Sequence, residues 1–100
     1  MKPVDFHRAA TTGMIEASRL YEQRRDGLGF RFLRVVEEVS AKIAEPPDIG
    51  APASRKERKR RVPRFPFDVV YRNQEERVLI LAVKHHRRKP GYWKWRRYRP

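Results

Sequence analysis

The 100-residue chain has no cysteine, which excludes disulfides and thiolate metal sites and suits a reducing compartment. Histidine is scarce: His7, His85 and His86 are the only three. The last two are adjacent, so on a strand they would point to opposite faces, and neither CxxC nor HExxH occurs. No metal site is expected. A glycine-rich phosphate loop and a nucleophilic Ser/His/Asp pattern are also missing, and no cofactor is expected. No run approaches the ~20 apolar residues that span a bilayer. The opening stretch MKPVDFHRAATTGM lacks the apolar centre of a signal peptide. A soluble cytoplasmic protein without a membrane partner is expected. A chain of this length makes one domain, residues 1–100, with a single modest core, because it buries only about two thirds of its unfolded surface.

Acids are short in the second half. Residues 1–50 carry eight Lys/Arg and eight Asp/Glu, which cancel. Residues 51–100 carry seventeen Lys/Arg against Glu57, Asp68, Glu75 and Glu76, which accounts for the whole net charge of +13. One strongly positive side is expected, with nucleic acid, an acidic protein or an anionic membrane as candidate partners.

Periodicity divides the chain. Lys2–Phe6 is short and extended, a candidate first strand. Ala10, Met14, Ala17 and Tyr21 follow a 4-3-4 spacing that predicts a helix from about Arg8 to Arg25. Gly13 weakens its first turns by up to ~1 kcal/mol relative to alanine. The run Asp26-Gly27-Leu28-Gly29 reads as a break. Phe32, Val36, Val39 and Ile43 repeat the spacing over a second helix from about Phe30 to Ala44, stopped by Pro46-Pro47, which cannot donate backbone bonds. Glu16 and Glu22 read as ordinary helix-surface acids.

Residues 48–56 read as a loop. The basic run Arg55–Arg61 then leads into Val62. Phe65, Phe67, Val69 and Tyr71 alternate with Pro66, Asp68, Val70 and Arg72, the period of a strand with one face more buried. Asn73–Glu76 forms a polar hairpin turn. Val78–Val83 (VLILAV) is continuously apolar and short, the pattern of a central strand covered on both faces. The order β-α-α-β-β-β is that of an α+β fold, a helical hairpin packed on a small, mainly antiparallel sheet.

Two constellations carry candidate chemistry. Arg58, Lys59, Arg60 and Arg61 can neutralise phosphates and release counterions, or can be a solvated lead into a strand. The C-terminal block holds Lys84, Arg87, Arg88 and Lys89, interleaved with His85, His86, Tyr92 and Trp93 and followed by a basic tail, 94–100. Cations hold phosphates and aromatic faces stack on unpaired bases for ~1–3 kcal/mol each. Histidine exchanges protons near neutral pH, and arginine stabilises a phosphorane-like dianion. His85, His86, Arg87, Arg88 and Tyr92 are thus the parts of a metal-independent ribonuclease site. The alternative is that Tyr92 and Trp93 pack on the sheet edge while the charges stay wet.

The segment RRVPRFPFDVVYR (Arg60–Arg72), followed by ILAVKHHRRKPGYW (Ile80–Trp93), resembles the RelE/ParE-family toxins of type II toxin–antitoxin systems. AATTGMIEASRLYEQRRDGLGFRFLRVVEEVSAKIAEPP (Ala9–Pro47) resembles their paired helices. The resemblance implies a small basic toxin with a β-α-α-β-β-β sheet, silenced by an acidic or partly disordered antitoxin that wraps it. It implies one of two targets. RelE-like members cut mRNA on the ribosome without metal, with Arg, Lys, His and Tyr residues, a role that would fall to His85, His86, Arg87, Arg88 and Tyr92. ParE-like members poison DNA gyrase. Where RelE-type enzymes carry a catalytic arginine before Val-Tyr, this chain has Asp68, an acid that would repel a scissile phosphate. The reading therefore leans to the ParE-like branch, with Arg58, Lys59, Arg60, Arg61, Lys84, Arg87, Arg88, Lys89 and Trp93 as the target-facing or nucleic-acid-facing set. An RNA- or DNA-binding module acting through charge alone is the third alternative.

Overall fold

A computed structural model describes residues 2–45, 50–88 and 91–93. The elements are β1 (Val4–Phe6), α1 (Arg8–Arg24), α2 (Leu28–Ile43), β2 (Ala51–Pro52), β3 (Arg58–Val62), β4 (Phe67–Asn73) and β5 (Val78–His85). Two helices pack on one face of a five-stranded sheet of order β1-β5-β4-β3-β2. β1 runs parallel to β5 and every other pairing is antiparallel, so the α+β architecture expected from the sequence is the one observed. The Pro46-Pro47 stop, the start of the 48–56 stretch, Lys89 and the 94–100 tail lie outside the described residues.

Each helix starts through a different device. His7, itself buried, caps α1: its Nδ1 accepts the Ala9 N–H at 3.0 Å. Its own N–H donates to Ile80 O at 2.8 Å, tying the helix start to the central strand. α2 begins at Leu28, two residues before the sequence-based expectation. Gly27 adopts φ 84°, a left-handed conformation that glycine takes without a Cβ penalty. Glu22 then reaches forward from α1, and its carboxylate accepts the N–H groups of Gly27 (2.8 Å) and Gly29 (2.9 Å). This acid, expected to be an ordinary surface group, satisfies the otherwise orphaned donors at the helix start. Any side chain at Gly29 would collide with the Ser18 carbonyl, so glycine sets the close approach of the helices.

The core between helices and sheet centres on a cluster of four rings. Tyr21 and Phe32 lie 5.2 Å apart, and both sit 5.1 Å from Phe65, while Phe32 meets Phe67 at 4.9 Å, within the range of favourable tilted and edge-to-face pairs. Phe65 belongs to the turn between β3 and β4 rather than to β4, which begins at Phe67. Pro63 and Pro66 flank it and lack the N–H a ladder needs. Its ring is buried nonetheless.

The basic run is more ordered than a lead-in: from Arg58 onward it is β3 itself. Arg58, Arg60 and Val62 sit opposite Tyr71, Val69 and Phe67 on the helix side, while Lys59 and Arg61 oppose Val70 and Asp68 on the other face. Backbone pairing to β4 makes the strand whatever the side-chain charge, and cations on a strand near the sheet edge discourage stray pairing. The two-residue β2 falls within the stretch read as a loop.

β5 is central, as VLILAV suggested. Val78, Ile80 and Val83 face the helices, whereas Leu79, Leu81 and Ala82 face the opposite side. Two successive residues share that side because the register steps from Tyr71↔Ile80 to Val70↔Ala82, leaving Leu81 as the extra residue of a bulge. Trp93, only 2% exposed, packs over Val70, Leu79 and Leu81 and closes a second, smaller core.

Candidate functional site

β5 delivers His85, His86, Arg87 and Arg88 to one end of the sheet. His85 is its last residue and continues the helix-side face: its ring meets Phe67 edge-on at 5.0 Å and borders a cleft lined by Ala17 and Leu20 of α1. Its Nδ1 accepts the Arg87 backbone N–H at 3.0 Å, so the proton of the neutral ring sits on Nε2. Desolvation lowers the His85 pKa from its usual value of 6.5, and the neighbouring charges of Arg87, His86 and Lys84 push it the same way. The neutral ring has one lone pair, and the turn uses it. In this arrangement His85 is a structural acceptor through Nδ1 and a donor through Nε2–H.

His86 turns the other way. Its backbone N–H donates to Pro66 O at 2.8 Å, and its Nε2 lies 3.3 Å from Asp68 Oδ1. A carboxylate only accepts, so Nε2 carries a proton in this contact. Asp68 sits in register between Arg61 on β3 and Lys84 on β5. The acid that marked a departure from the RelE pattern is therefore flanked by cations and engaged by a histidine. Sequence reasoning missed this pairing because the partners are 18 positions apart and meet only through the strand register.

Arg87 and Arg88 are exposed. The Arg88 guanidinium stacks on the Tyr92 ring, 3.6 Å from its centroid, a cation–π geometry that ties the end of the β5 exit to 91–93. Lys84 is 9% exposed and its Nζ donates to His85 O at 3.1 Å, which makes it a strut for the turn. The buried Trp93 ring offers no face to a target and serves as packing. Lys89 falls outside the described residues.

The second basic group stands apart from the first. Arg58, Lys59, Arg60 and Arg61 lie on β3, separated from β5 by β4, about 10 Å at the usual strand spacing. Arg58 donates to Gly50 O at 2.8 Å and so has a structural bond, while Lys59 and Arg61 are exposed. Among the described residues no group of three or more His, Cys, Asp or Glu could hold a metal ion, and no helix is long and apolar enough to cross a membrane.

Comparison with known proteins adds two findings. One solved structure, described as the "Chromosomal ParDE TA system from P. aeruginosa", superposes with a TM-score of 0.62 at 14% sequence identity, covering 85% of this chain and 96% of that one. At this identity the likeness is one of fold. No curated protein matches the chain in sequence. Residues 4–90 match the family described as "ParE toxin of type II toxin-antitoxin system, parDE", a span that takes in both helices, all five strands and the β5 exit; the chain belongs to the ParE toxin family.

Proposed function

We propose that this ParE-family toxin arrests growth by inhibiting DNA gyrase, gripping its target through the exposed cations at the β5 exit, and that a cognate acidic antitoxin silences it in the cytoplasm. The observation that carries the reading is the state of the histidines. His85 uses its lone pair to hold the turn, and His86 is engaged by Asp68, on a surface that leaves Arg87 exposed and Arg88 stacked on Tyr92. This surface is built to bind. On this reading Arg87 and Arg88 are contact residues, and the lack of a free catalytic base at His85 is no handicap.

A second reading, a ribosome-dependent mRNA endoribonuclease, is favoured by one specific observation. A carboxylate that orients a histidine through Nε2 leaves Nδ1 able to take a proton, and His86 has that partner in Asp68. The two readings part in a supercoiling assay with purified gyrase and purified toxin. We expect inhibition that falls at least tenfold in Arg87→Ala/Arg88→Ala and persists in His86→Ala. Supercoiling left intact by the folded toxin, together with mRNA cleavage on ribosomes that His86→Ala abolishes, would establish the second reading instead.

A further inference from the structure

The other basic group lies beside a cleft. An opening of about 410 Å³ separates the last turns of α2 from β3. Val39 and Lys42 line it from the helix, β3 lines it over Lys59–Arg61 with Arg60 alone of the three on the helix side of the sheet, and Gly50 stands at its end. Among the described residues no carboxylate lines it, and none pairs with Lys42 or Arg60. Like charges gathered without a counter-ion repel one another, and a concave, low-dielectric wall strengthens the field they set up for an anion.

Arg60 displays the mismatch at the level of one atom. Its register opposite Val69 puts it on the helix side of the sheet, where its Nη1 is buried with no hydrogen-bond partner. A guanidinium nitrogen withdrawn from water and left unpaired is unfavourable, and the planar fork of arginine suits two oxygens of one phosphate. The end wall is fixed in advance. The Gly50 N–H donates to the Tyr71 hydroxyl at 3.1 Å, and Arg58 Nη1 donates to Gly50 O at 2.8 Å. A Cβ at position 50 would collide with that hydroxyl and come within 2.9 Å of Lys59 O, so only glycine fits.

We propose that this cleft binds a phosphate group, carried either by a free nucleotide or by a nucleic-acid backbone, with Arg60 as its principal ligand and Lys42 as a second charge. The volume lies within the range of small-ligand sites. The site is distinct from the β5 exit and does not depend on the toxin's target.

The test is an amide-resolved NMR titration of the full chain at constant ionic strength, with inorganic phosphate, AMP, a single-stranded hexanucleotide and hexaglutamate as separate probes. Saturable shifts centred on Gly50, Ala51, Arg60 and Arg61 are expected, weakened at least tenfold by Arg60→Gln and several-fold by Lys42→Gln, and unchanged by Arg72→Gln on the opposite face. AMP saturating as readily as the hexanucleotide identifies a free nucleotide as the source, whereas saturation by the hexanucleotide alone identifies a phosphodiester backbone. Should Arg60→Gln fail to fold, Arg60→Lys keeps the charge, loses the fork and is still expected to weaken binding. The proposal is overturned by shifts spread over the whole cationic surface, by binding indifferent to Arg60 and Lys42, by the absence of binding, or by hexaglutamate binding as tightly at the same amides. That last result would make the cleft a dock for acidic peptide.

Discussion

At the scale of single residues, His85 carries a consequence for pH. Folding lowers its pKa below 6.5, through desolvation first and the nearby Arg87, His86 and Lys84 charges next. The unfolded chain therefore binds more protons than the folded one in the interval between the depressed value and 6.5, so stability rises with pH there. The contribution is complete above about pH 6.5 and is lost as pH falls through the folded value. An NMR titration of the imidazole is expected to place the His85 midpoint below 6.5, and urea melts should show His85→Gln removing part of the acid sensitivity. A midpoint at or above 6.5 would contradict the turn geometry, because protonating Nδ1 breaks the bond from Arg87 N–H. Gly13 yields a simpler expectation. It is helical, and a Cβ there meets nothing within 4 Å, so Gly13→Ala should stabilise the protein by about 1 kcal/mol, measured by denaturant unfolding.

At the scale of elements, the two halves of the chain were unequally legible. The helices could be read because Phe32, Val36 and Ile43 repeat at helical spacing and are buried as that spacing requires. The start of α2 could not, since it depends on Glu22 reaching across from α1, a contact that exists only once the hairpin forms. β5 was readable as a run buried on both sides, yet its bulge at Leu81 follows from the pairing with β4. β3 was obscured by its own composition: a run of cations looks solvated, and only the ladder to β4 makes it a strand. Of the candidate site, the residue types at the β5 exit were visible in the sequence. Their surroundings were not, because Asp68, Lys84 and Trp93 acquire their partners through register and burial. Trp93 makes this testable. Truncation to alanine opens the second core over Val70, Leu79 and Leu81 and should cost roughly 3–5 kcal/mol, read as a fall in the urea midpoint. A change under about 1 kcal/mol would mean that the ring is not the cover of that face.

At the scale of the whole molecule, charge and fold point the same way. The net charge of +13 arises in residues 51–100, which supply β2 to β5 and the β5 exit, whereas the electrically balanced first half supplies β1 and the helical hairpin. Such a surface attracts polyanions and acidic segments over long range, with an attraction that weakens as salt rises. It suits the acidic antitoxin and the nucleic-acid-handling target of the proposed function. On the proposed function, the β5 exit acts as a grip whose histidines shape the turn and whose arginines meet the target. The measurement that tests this most directly is pulse-labelling of DNA and protein synthesis in one culture, minutes after inducing the chain alone. The account predicts that DNA synthesis falls first while translation continues, and that Arg87→Ala/Arg88→Ala blunts the effect. Protein synthesis collapsing first, with DNA synthesis following, would contradict it and make His86 and Asp68 the heart of a nuclease.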